Sequence, residues 1–112
     1  MQRYSPGDVV LLSYPYTNGS ETKRRPALVL LDTGDEDIVV ARITSQTTDA
    51  SFDAELSDWR LAGLLLPSVV RLHKLVTVAK YLVKRRMGSL SPADWRRSRT
   101  VARSLWADVL LL

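Results

Sequence analysis

The chain has 112 residues, a length that fits one domain and leaves little room for a second core. It carries 16 Lys and Arg against 12 Asp and Glu, a formal net charge of +4, and no cysteine, which excludes disulfides and cysteine-based zinc sites. No run of about 18 apolar residues occurs and the N-terminal MQRYSPGDVV lacks an apolar core of signal-peptide length, so the reading is a soluble, cytoplasmic protein with no membrane association.

In chain order, strands come first. DVVLLSY, residues 8–14, is apolar and β-branched, follows the Pro6-Gly7 turn signal and precedes the turn formers PYTNGSET. PALVLLD, residues 26–32, is an almost unbroken apolar run, short enough for a strand buried on both faces, with Pro26 at its first position. TGDED closes a turn, and IVVARITSQ from Ile38 reads as the next strand, running out at Thr44, Ser45 and Gln46. Such short connections predict an antiparallel meander.

SFDAEL and VVRLHKLVTVA are further strand candidates. In the second, alternation places Val69, Arg71, His73, Leu75 and Thr77 on one face, and Val70, Leu72, Lys74, Val76 and Val78 on the more apolar, inward one. Near the end, Ser91 reads as a helix N-cap, Pro92 as the first helical residue and Asp94 as an acid placed favourably near the helix N-terminus. A helix from about Pro92 to Leu110 follows, with an apolar stripe of Trp95, Ala102, Leu105, Trp106 and Val109 facing the sheet and both tryptophans as core anchors. The sum is a β-rich α+β fold, a single domain over residues 1–112 built as a partly open barrel of antiparallel strands with a C-terminal helix.

Charge is distributed unevenly. Residues 32–58 hold eight acids against Arg42 alone, whereas residues 80–103 hold eight cations against Asp94 alone. This asymmetry fits a polyanionic or acidic-peptide partner, and equally two solvated faces. The triplet Lys23-Arg24-Arg25 before Pro26, read by itself, fits a solvated basic loop.

The stretches PGDVVLLSYPYTNGSETKRRPALVLL, ARITSQ and GLLLPSVVRLHKLVTVAKYLVKRRMGSLSPADW resemble, in order and spacing, the MazF/PemK growth-inhibitor family, the toxin half of type II toxin–antitoxin modules. The linked signatures are Pro-Gly-Asp, Gly-Ser-Glu, Arg-Pro, Ile-Thr-Ser-Gln and Ser-Val-Val-Arg, spread over nearly the whole chain. The resemblance implies an SH3-like or CcdB-like small barrel, a homodimer, and a metal-independent endoribonuclease that cuts single-stranded RNA sequence-selectively, without a cofactor. It also implies a cognate antitoxin with a disordered acidic and apolar tail, through which alone operator DNA would be bound.

Residue by residue, Arg25 matches the family's catalytic arginine, whose guanidinium can stabilise the extra charge of a phosphorane. Thr44 matches the family's active-site threonine, able to donate to a phosphate oxygen. Arg71 matches an arginine of the PemK branch, where an aspartate two residues on takes part in catalysis; here His73, the single histidine, stands at that place and can exchange protons near neutral pH. Ser20, Glu21, Lys23, Arg24, Ser45 and Gln46 complete the RNA-binding candidates. No spacing suggests a metal site. The alternative is a barrel of the same family that binds nucleic acid or an antitoxin peptide without cutting.

Overall fold

In the computed structural model, residues 2–15, 22–46 and 50–111 are described. The strands are β1 (Asp8–Pro15), β2 (Thr22–Asp32), β3 (Asp37–Thr44), β4 (Asp53–Glu55), β5 (Val69–Ala79) and β6 (Val83–Ser89), with one 3-10 turn (Lys80–Leu82) before β6, and the helix α1 (Pro92–Leu110) closes the chain. They form one six-stranded antiparallel sheet in the order β4-β5-β3-β2-β1-β6. The edge strands β4 and β6 do not pair with each other, so the sheet is open. The meander holds for β1 to β3; β5 then passes over to the far side of β3, and β4 lies outside it.

The centre of β2, residues 27–29, is buried on both faces as expected, whereas Leu31 further along is exposed. Leu28 joins Val9, Ala41, Ile43, Val70 and Leu72 in the larger core, roofed by Trp95, Val101 and Ala102 of α1 and by the segment 56–64. Ala27 and Val29 join Tyr4, Val10, Leu12, Ile38, Val40 and Val78 in the smaller core on the other face.

Four expectations need correcting. First, β2 begins at Thr22, so Pro26 lies inside the strand. The β2–β3 ladder starts only at Ala27↔Arg42, so at Pro26 the strand is flanked by β1 alone, where a missing N–H is tolerated. Second, β5 does not alternate throughout. Ala41 pairs with Leu75 but Arg42 pairs with Arg71, a register shift that leaves residues 72–74 between consecutive pairs. Lys74 and Val76, assigned inward, are therefore exposed.

Third, Trp95 packs on the larger core but Trp106 is 54% exposed, because α1 runs past the sheet in its last turns. Fourth, both charged tracts are partly engaged within the fold, with each other at Lys80 and Asp32. Lys80 pairs with Asp32 (2.9 Å), Arg71 with Asp53 (3.3 Å) and Arg86 with Asp8 (3.0 Å), so the basic block is less one-sided than its composition implies.

Asp94 does more than favour the helix N-terminus. It is fully buried and its carboxylate accepts from the backbone N–H groups of Ser57 (2.9 Å) and Asp58 (2.8 Å), while Arg97 donates to it (3.0 Å) and to the Glu55 carbonyl (2.7 Å). This pins the segment after β4 to the start of α1. The same segment turns at Gly63, whose φ of +81° and close approach to the Met87 carbonyl leave no room for a Cβ.

Asp32 ties the N-terminal segment to β2 in a comparable way. Its carboxylate accepts from the Tyr4 N–H (2.8 Å) and the Gly34 N–H (2.8 Å) and pairs with Lys80. The Tyr4 N–H, followed by Lys80 and Gly34, outweighs the opposing effect of burial and lowers its pKa from 3.8 to about 2. A carboxyl depressed on folding contributes stability that is complete above its unfolded pKa and lost as pH falls through its folded one. The melting midpoint is therefore expected to fall as pH drops from 3.8 towards 2, and Asp32→Asn to melt lower at neutral pH with a flatter acid limb, as read by circular dichroism.

Candidate active site

The basic triplet lies on β2 itself. Arg25 pairs with Leu12 of β1, and two residues on Ala27 pairs with Arg42 of β3. Strand alternation therefore puts Arg25 on the face of Ala27, and Arg42 and Thr44 on that same face of β3. This is the face of the smaller core, beyond the point where Tyr4, Leu82 and Val83 cover it.

Two open cavities meet here. The first, about 420 Å³, is lined by Lys23, Arg25, Pro26, Arg42, Lys74, Leu75 and Val76. The second, about 400 Å³, takes in Lys23, Arg24, Arg25, Arg42, Thr44, Ser45 and Gln46, with Leu64, Leu65, Leu66 and Ser68 across from them. Their shared wall is Lys23, Arg25, Pro26 and Arg42. Together the linings hold five cations and, among the described residues, no carboxylate. Among the described residues neither Arg25 nor Arg42 has an acid within ion-pair distance. The trough is thus a ready receptor for an extended anion.

Thr44 is set for donation. Its Oγ1 accepts the Gln46 N–H at 3.1 Å, which fixes the hydroxyl at the strand end and leaves its own hydrogen to offer. Ser45 and Gln46 follow, both exposed on the wall of the second cavity.

The structure therefore brings together Lys23, Arg24, Arg25, Thr44, Ser45 and Gln46. Arg71 and His73 line neither cavity. Arg71 is next to Arg42 in register, but its Nε faces the nearly buried Asp53 of β4 at 3.3 Å. His73 sits exposed in the shifted stretch of β5, its ring 6.3 Å from that of Phe52. Ser20 and Glu21 lie outside the described residues. The residues that sequence reasoning missed are Arg42 and Lys74. Arg42 was legible in one respect, since it precedes Thr44 by two places and so shares its face. Among the described residues no group of three metal-ligating side chains occurs, and no helix is long and apolar enough to cross a membrane.

An open, β-rich antiparallel sheet with one packed helix and a cationic trough at the β2–β3 end defines a small α+β protein of toxin-like build. Residues 5–105 match the family model described as PemK-like, MazF-like toxin of type II toxin-antitoxin system, and the chain belongs to that family. Solved structures agree with the fold. The chain is similar to the Mycobacterium tuberculosis toxin MazF-mt6, with 18% identity, a TM-score of 0.73 and coverage of 89% of this chain and 96% of that one. It is similar to MazE-MazF from Deinococcus radiodurans, with 20% identity, a TM-score of 0.78 and coverage of 93% and 96%. A mycobacterial endoribonuclease in complex with its cognate antitoxin shows 17% identity, a TM-score of 0.76 and coverage of 94% and 96%. A search of curated proteins finds no match.

Proposed function

We propose that the protein is the toxin of a type II toxin–antitoxin pair and acts as an endoribonuclease on single-stranded RNA, as a single-domain, cytoplasmic homodimer held in check by an antitoxin tail. The observation that carries this reading is the placement of Arg25 and Thr44 on one strand face, in one cavity lined by cations without a carboxylate. A ribose 2'-OH attacks the adjacent phosphorus, the P–O5' bond breaks, and the products are a 2',3'-cyclic phosphate and a 5'-hydroxyl. The proton lost by the 2'-oxygen is balanced by the one gained by the 5'-oxygen. Arg25 faces the charge that grows on the phosphorane oxygens, and Thr44 donates to one of them.

Family membership and the endoribonuclease named among the structural neighbours support the assignment. The non-catalytic alternative draws on one feature, namely that Arg71 is engaged by Asp53 and His73 stands outside both cavities. The purified protein, incubated with a long defined single-stranded RNA in EDTA, is expected to cut at a recurring short sequence and leave cyclic-phosphate ends. Intact RNA that is nonetheless bound would establish the non-catalytic alternative.

A further inference from the structure

The first cavity has an origin of its own. The register shift between Ala41 and Arg42 gives β5 residues 72–74 with no opposite number on β3, and the strand beyond them is re-aimed. Lys74, Leu75 and Val76, just past the shift, line the cavity. Leu75 and Val76 are 37% and 41% exposed in mid-strand, apolar surface that the described fold leaves uncovered.

The lining divides by chemistry. Pro26, Leu75 and Val76 give an apolar floor; Arg42 and Lys74 stand as cations beside it. Arg71, the next guanidinium on the same cross-strand row, is already neutralised by Asp53, so Arg42 is the one on that row left to meet an outside anion. A floor without charge beside donors without acceptors suits a nucleotide, with the base on the apolar side chains and the phosphate on the cations. The cavity also shares its wall with the second one, so a strand whose scissile phosphate lies against Arg25 has this cavity directly beside it.

We propose that this cavity is a nucleotide subsite, in which Arg42 and Lys74 hold the phosphate and Pro26, Leu75 and Val76 the base of a nucleotide adjoining the scissile bond. The proposal rests on the RNA reading above.

The test uses the full chain and a fully 2'-O-methylated single-stranded RNA, which lacks the attacking hydroxyl. Arg42→Gln and Lys74→Gln are each expected to weaken binding about tenfold and to make the slope of log K against log salt shallower by about 0.7, the loss of one single-strand phosphate contact. Val76→Ala is expected to weaken binding with the slope unchanged, since it removes apolar contact and no charge. On cleavable RNA, the loss in kcat/KM for Arg42→Gln is expected in KM. Wild-type affinity and slope in both charge variants would overturn the subsite while leaving the endoribonuclease reading intact. Variants that bind RNA normally but lose affinity for a polyglutamate peptide would overturn it in favour of a peptide surface. A wild-type protein that neither binds nor cuts RNA overturns both readings.

Discussion

Replacing Arg25 with alanine is expected to lower kcat for RNA cleavage by about 100- to 1,000-fold, the loss typical of removing one preorganised donor from a developing oxyanion. The expectation follows from position. Arg25 stands on the wall common to both cavities, on the strand face that also carries Thr44, and among the described residues no acid competes for it. The side chain is only half buried, so its removal is expected to leave the melting midpoint nearly unchanged. Arg25→Lys is expected to recover little of the rate, because an ammonium is a point charge and cannot present two parallel donors to a phosphorane. Single-turnover cleavage of one defined RNA, alongside a thermal melt, separates these effects. A folded Arg25→Ala protein that cuts at the wild-type rate would remove Arg25 from the chemistry.

The largest effect on stability is expected at Asp94. Alanine there leaves the Ser57 and Asp58 N–H groups without their acceptor and Arg97 without its carboxylate, a loss of about 3–5 kcal/mol for breaking a buried charged network. Urea unfolding monitored by tryptophan fluorescence reads it directly, since Trp95 lies beside the network and Trp59 packs on the same core. Asp94→Asn is expected to fall between the two, because one amide oxygen can accept but the amide nitrogen faces donors. The segment that Asp94 anchors leads to Leu64, Leu65, Leu66 and Ser68, the far wall of the second cavity. Surviving Asp94→Ala protein is therefore expected to show a raised KM for RNA, the sign that a stability element also shapes the trough.

Legibility of the fold varied with how much of each element's signal is local. The helix was readable to its ends because capping is local: Ser91, Pro92 and Asp94 announce the start, and the Ser91 hydroxyl does accept the Asp94 N–H at 3.2 Å. β1 to β3 were readable because burial on one or both faces writes itself into apolar runs. β6 was not placed, since VKRRMGS has neither alternation nor an apolar run; it is a strand because β1 offers it a ladder, and that ladder has two register shifts. The shifted stretch of β5 was invisible for a related reason. Alternation in a sequence continues through a shift that only the partner strand imposes, so the sequence gives no sign that Arg71 keeps a partner on β3 while His73 has none. Of the site, Arg25 and the strand-end residues Thr44, Ser45 and Gln46 were found through the family signature, whereas Arg42 and Lys74 depend on which strands lie next to which.

The open sheet carries one further consequence. An unpaired strand at the rim is a template on which a second chain can lay its own backbone. β6 is such a rim, and it carries Lys84, Arg85 and Arg86 in succession, the first two exposed and without an ion-pair partner among the described residues. Two copies meeting rim to rim would bring Lys84 and Arg85 of each together, and like charges repel. The tract that composition alone would assign to nucleic acid thus doubles as a guard against edge-to-edge aggregation, and neutralising it would be felt first in solubility.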